Sequence, residues 1–186
     1  HTGIRRQRQM CIRDRASIND LNVFQDLKDT FRVCGGYGLA APQIGYQKRV
    51  IVVNEKLLSD GKLDECEKIM INPEIVFKEE KCNFKEACFS VAGEQLEIER
   101  SKFIKFKFLD LNGNQIEKDA SGYYAACIQH EIDHLDGKLI VDRLSNLKKR
   151  MFLKKKKKIA LREKREKYRK EDDSRPGFRQ QKRSKN

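Results

Sequence analysis

Ile18, Leu21, Phe24, Leu27 and Phe31 recur at intervals of three and four, the spacing that gathers apolar side chains on one helix face. Ser17, with Asp20 three residues on, is the expected N-cap, and Gly35-Gly36 the expected stop. Arg49–Val53, with four apolar residues in a row after Arg49, reads as a short buried strand. Ser59-Asp60-Gly61 marks a loop, and Ile69–Phe77 a strand that Pro73 restricts to an edge or a bulge. From Leu96 to Leu111 the pattern alternates: Ile104, Phe106 and Phe108 face one way, Lys105 and Lys107 the other. Asn112-Gly113 is a hairpin turn leading to a strand that ends near Asp119. A helix follows from about Tyr123 to Leu135 and stops at Asp136-Gly137. Ser145 is placed to cap a last helix with Leu147, Met151 and Phe152 on its inner side. The class is therefore α+β: antiparallel β-sheets packed around one central helix, with a helix at the C-terminal end.

Charge divides the chain differently. The formal net charge is +13, which first suggests a nucleic-acid binder. Residues 1–15 hold five Arg and one Asp, and residues 143–186 hold 20 Lys and Arg against five acids, while residues 16–142 carry a net −6. A mildly acidic globular domain with basic ends is not a basic nucleic-acid-binding fold. Residues 1–15 lack apolar periodicity and are set aside as an artefactual or non-family basic stretch, leaving a domain at 16–153. Residues 154–186 form a Lys/Arg-rich tail, helical and then disordered. The six cysteines show no CxxC spacing, which speaks for reduced thiols in a cytoplasmic protein. No apolar run approaches the ~18 residues of a membrane span.

The chemistry is concentrated in Gln129-His130-Glu131-Ile132-Asp133-His134. Two histidines four apart on a helix lie one above the other and reach a single metal ion, and Glu131 between them reaches a water on it. With 3 His and 15 Glu in 186 residues, the spacing arises by chance in roughly 0.4% of such chains. A catalytic site of this type needs a third protein ligand. The remaining histidine is His1, so Cys, Asp or Glu must serve, and Glu86-Ala87-Cys88-Phe89-Ser90 stands upstream as a candidate segment. The run Gly36-Tyr37-Gly38-Leu39-Ala40-Ala41-Pro42-Gln43 is built of small residues that let a backbone approach a ligand. An ordinary turn accounts for its glycines, though not for Gln43.

GYGLAAPQ (36–43), EACFS (86–90) and QHEIDHLDG (129–137), in this order, closely resemble the three motifs of the peptide deformylase family. The resemblance spans about Ser17 to Leu153 and includes Ile71-Asn72-Pro73. It implies that Cys88, His130 and His134 bind one divalent metal, with Glu131 as general base and then acid. It also implies that Gln43 and the Phe89 N–H stabilise an oxyanion, and that Gly36 and Gly38 hold the extended substrate. Glu86 would pair with Arg100, and Tyr123, Ala126 and Cys127 would form the pocket for the first side chain. The implied substrate is an N-formyl-methionyl nascent peptide, deformylated with release of formate. The implied metal is Fe(II), with Zn, Ni or Co as substitutes, because thiolate and imidazole suit several.

Ala87 stands where the family has glycine and Phe89 where it has leucine. The alternative is therefore a deformylase-like chain that binds metal or formyl peptide with little turnover. A different HExxH peptidase acting on internal bonds is disfavoured, because no ligand candidate is expected on a structured element downstream. The expected assembly is a monomer off the membrane, and the tail is a candidate for docking on ribosomal RNA.

Overall fold

The computed structural model describes residues 14–58, 67–91 and 95–173. The chain forms two compact units, His1–Arg143 and Leu144–Asn186. In the first, helix α1 (Leu21–Cys34) precedes strands β1 (Gly38–Ala40) and β2 (Val50–Val53). The short helix α2 (Glu55–Leu58) leads to β3 (Lys68–Glu86), β4 (Leu96–Leu109), β5 (Gln115–Ser121) and helix α3 (Gly122–Leu135). The strands form one antiparallel sheet in the order β1-β2-β3-β4-β5. The second unit carries helix α4 (Asn146–Asp173), which Ser145 opens by accepting from the N–H groups of Lys148 and Lys149.

The unbroken apolar run of β2 has a simple cause: it is buried on both faces. Ile51 and Val53 join Met70, Ile104, Phe106 and Phe108 against Tyr124, Ala125, Ile128 and Ile132 of α3. Val50 and Val52 join Ile69 and Ile71 against Val23, Phe24, Leu27 and Phe31 of α1. The helices cover opposite faces of the sheet, so the strand between them needs apolar side chains at consecutive positions. Burial of this kind contributes about 1.5–3 kcal/mol per large side chain.

Several elements differ from expectation. Helix α1 starts at Leu21, because the Asp20 carboxylate accepts from Ser17 N–H and closes a separate turn. Ile18 and Leu21 are exposed as a result. Strand β3 is bulged as expected but lies in the middle of the sheet and continues to Glu86. Its register shifts between Ile71 and Glu74, where Asn72 takes a φ of 51° and Pro73 is accommodated without a ladder bond. The Asn72 amide donates to Ala16 O and accepts from Ala16 N, both at 2.8 Å, and Asp14 bridges to Lys48, so residues 14–16 are held on the domain. In α4, Leu147 and Met151 are exposed rather than turned inward. The loop expected at residues 59–61 and the proposed disorder beyond residue 173 lie outside the described residues.

Candidate active site

Helix α3 is buried on almost every side from Tyr124 to Leu135, so its polar residues need partners inside the protein. Its apolar stripe packs on the sheet. On another side, the Gln129 amide accepts from Ser101 N–H at 3.1 Å and donates to Ser101 O at 2.8 Å, tying the helix to β4. The third side carries Cys127, His130, Glu131 and His134, spaced three or four apart. At the far end Gly137, with a φ of 72°, ends the helix, and Arg49 binds the Asp136 carboxylate at 3.0 Å.

The structure brings Cys88, His130 and His134 together, with their donor atoms within 4.8 Å of one another. His134 Nε2 lies 3.2 Å from His130 Nε2 and 3.2 Å from Cys88 Sγ. Two imidazole nitrogens on a tetrahedral ion at about 2.0–2.1 Å stand roughly 3.3–3.4 Å apart, so the donors fit one small divalent ion. The His130 Nδ1–H donates to Glu86 Oε2 at 2.8 Å, which turns the Nε2 lone pair toward the cluster. Burial disfavours the Cys88 thiolate, yet hydrogen bonds from His130 and His134 outweigh it and hold the thiol at about 5. Burial likewise opposes a charged His130, while Cys88 and Glu86 raise it to about 10. A bound metal takes the place of those protons.

Glu131 is buried and its Oε2 is, among the described residues, the buried side-chain polar atom without a hydrogen-bond partner. Burial pushes its carboxyl above the ordinary carboxylate range; the imidazoles oppose this and the negative Cys88 and Glu86 add to it. A carboxylate whose charged form is disfavoured in this way is suited to take up and return a proton. Gly38 lies against it: a Cβ there would stand 2.6 Å from Glu131 Oε1.

The other expected residues fall around this centre. The Gln43 carbonyl accepts from Ala40 N–H at 2.8 Å, which directs its Nε2 toward Ser90 Oγ at 3.3 Å, two residues past Cys88. Phe89 is 55% exposed, and its ring would lie 3.2 Å from a Cβ on Gly36, which has a φ of 107°. Ala87 is exposed and lies outside the positive-φ region, so its methyl group causes no backbone strain. Ala126 is buried and Cys127 half-buried, one turn before His130 and Glu131. Tyr123 is 61% exposed and meets Phe84 edge-on at 5.3 Å, at the open end of this face.

Glu86 and Arg100 pair through two bonds of 2.7 and 3.0 Å, as the motif implied. Asp133 and Arg143 were not anticipated: Arg100 and Arg143 both bind the buried Asp133. Burial works against this carboxylate, but Arg143 and Arg100 hold it below its usual pKa. The sequence signal available was a second acidic residue, beside Glu131, inside a helix with little polar surface to spare.

The model of the Polypeptide deformylase family matches residues 6–150. The chain belongs to the polypeptide deformylase family. A peptide deformylase of Phenylobacterium zucineum is 41% identical over 139 residues, covering 74% of this chain and 80% of the relative. One of Alkalilimnicola ehrlichii is also 41% identical, over 73% of this chain and 74% of its own length. The crystal structure of peptide deformylase from Ehrlichia chaffeensis matches with a TM-score of 0.70 at 32% identity, over 83% of this chain and 92% of that one. A peptide deformylase from Synechococcus elongatus in complex with actinonin matches with a TM-score of 0.68 at 35% identity, over 78% and 82%. The chain is accordingly a metal-dependent hydrolase that removes the N-formyl group from the N-terminal methionine of nascent polypeptides and releases formate. No helix among the described residues is long and apolar enough to cross a membrane.

Proposed function

We propose that Cys88, His130 and His134 hold the deformylase metal and that Glu131 carries the proton of the reaction. The observation that supports this most is the orphaned Glu131 Oε2, buried next to three convergent donors. A divalent metal held there supplies a Lewis acid that acidifies water and polarises the formyl oxygen. Glu131 takes the proton from the attacking water and later delivers it to the departing amine, after which formate leaves. Gln43 Nε2 and the Phe89 N–H donate to the oxygen on which negative charge develops; each such donor is typically worth ~10²–10³ in rate. Gly36 and Gly38 offer backbone to the extended peptide, and Tyr123, Ala126 and Cys127 flank its first side chain. Glu86 acts from behind, by orienting His130.

The soft thiolate with two imidazoles suits Fe(II), Ni, Co and Zn alike, and Fe(II) is proposed because the family resemblance implies it. Reconstituting metal-free protein with each metal in turn tests this: formate release from formyl-Met-Ala-Ser should be highest with Fe(II) kept anaerobic. A chain inactive with every metal would support the alternative, a binding protein with the deformylase fold. Cleavage of unformylated peptides would contradict both.

The protein is proposed to act as a cytoplasmic monomer near ribosomes. The support for the ribosome is the basic segment from residue 143, which holds 20 Lys and Arg against five acids. Segments of this kind bind phosphates with steep salt dependence. Deleting residues 154–186 should abolish low-salt co-sedimentation with ribosomes, and unchanged co-sedimentation refutes the docking.

A further inference from the structure

Behind His130 stand two carboxylates and two guanidiniums in alternation. Glu86 accepts from the His130 Nδ1–H at 2.8 Å. Arg100 grips Glu86 with Nε and Nη2, at 2.7 and 3.0 Å. Its remaining Nη1 donates to Asp133 Oδ2 at 2.5 Å. Arg143, from the turn Ile140–Arg143, closes the row by donating to both Asp133 oxygens, with Nε 2.8 Å from Oδ2. The side chains of Glu86, Arg100 and Asp133 are buried, whereas that of Arg143 keeps 37% of its surface exposed.

We propose that Arg143 is a positioning residue for the metal ligand His130: it neutralises Asp133 and so leaves Arg100 committed to Glu86, and Glu86 to the imidazole. The inference rests on Cys88, His130 and His134 being the metal ligands. Its logic is charge balance around the buried side chains of Glu86, Arg100 and Asp133. With all four groups present, two negative and two positive charges alternate, and each carboxylate is matched. Without Arg143, two buried carboxylates compete for one guanidinium, and a carboxylate left underpaired in the interior is strongly unfavourable. Asp133 already holds Nη1, so Arg100 shifts toward it and its fork on Glu86 loosens. The acceptor that fixes His130 then moves, and Nε2 leaves the point it shares with Cys88 Sγ and His134 Nε2. Losing an outer partner of this kind typically costs ten- to a hundredfold in metal affinity.

The test titrates metal-free protein with Co(II), following the absorption bands of the thiolate–imidazole complex against a competing chelator. Four proteins are compared: wild type, Arg143→Met, Arg143→Lys and the double variant Asp133→Asn/Arg143→Met. Arg143→Met should bind cobalt about tenfold or more weakly, with a shifted spectrum. Arg143→Lys, which keeps the charge, should bind near the wild-type level even where Arg143→Met does not fold. The double variant should recover affinity, because the amide carbonyl introduced at position 133 still accepts from Arg100 while no unmatched charge draws the guanidinium from Glu86. Melting temperature is recorded alongside, since a purely structural clasp would destabilise single and double variants alike. Wild-type cobalt affinity in Arg143→Met overturns the inference, as does a double variant as weak as the single. A wild-type chain that binds no cobalt overturns the ligand assignment and this inference with it.

Discussion

Gly38→Ala probes the placement of Glu131 without touching any metal donor. The added Cβ would stand 2.6 Å from Glu131 Oε1, 2.8 Å from its Cγ and 2.9 Å from its Cδ. Ordinary contacts between carbon atoms are about 3.5–4.0 Å, so the two groups must separate by roughly 0.7–1 Å. The strand cannot easily give way: Gly38 pairs with Val53, and Leu39 and Ala40 beyond it are buried. The Glu131 side chain therefore moves, within a helix packed on nearly every side. A displacement near 1 Å costs on the order of 10² in rate, or about 2.7 kcal/mol of transition-state stabilisation. The assay is steady-state formate release at matched metal content, with cobalt affinity measured in parallel. The expected result is kcat/KM reduced about a hundredfold with cobalt affinity nearly unchanged. Activity equal to wild type would show that Glu131 is not held where the structure puts it, and that the reasoning is wrong.

Two further predictions concern stability. Asn72→Ala removes two bonds to Ala16 and leaves alanine at a φ of 51°. The cost should be about 2–4 kcal/mol in chemical denaturation, part of it restored in Asn72→Gly; an unchanged midpoint refutes the clamp. Glu86 and Asp133 are both held below their usual pKa: burial opposes this, but His130 and Arg100 outweigh it for Glu86, and Arg143 and Arg100 for Asp133. A depressed carboxylate contributes stability in full above its unfolded pKa and loses it as pH falls through the folded one, so stability should drop steeply below about pH 4. Asp133→Asn should flatten that acid limb in thermal melts, and an unchanged limb would refute the assignment.

Much of the site was legible because its residues are close in sequence or carried by motifs. The His130–Glu131–His134 spacing gives one helix face, and the GYGLAAPQ and EACFS segments correspond to the walls around it. Strand β2 was legible as a continuous apolar run, since both of its faces are covered. The outer half of β3 was not, because Lys78–Asn83 is exposed at each position and carries no alternation. Its pairing with β4 is a matter of backbone register, which side-chain polarity does not encode. The start of α1 was misplaced because Ser17 and Asp20 serve equally well in a cap or a turn, and here they close a turn. Leu147 and Met151 repeat at helical spacing yet stay exposed, so periodicity overstated the inner face of α4. Asp133 and Arg143 were missed for the opposite reason. Polar residues ten apart suggest solvent, and the burial of Asp133 follows only once β4 has carried Arg100 beneath the helix.

The central claim is that Glu131, beside metal held by Cys88, His130 and His134, performs the deformylation. It is tested most directly by formate release from formyl-Met-Ala-Ser, under anaerobic Fe(II), comparing wild type with Glu131→Ala at equal bound metal. Rapid release by the wild type and its near-complete loss in Glu131→Ala is the predicted result. Equal release by both proteins, or none from a fully metal-loaded wild type, would contradict it.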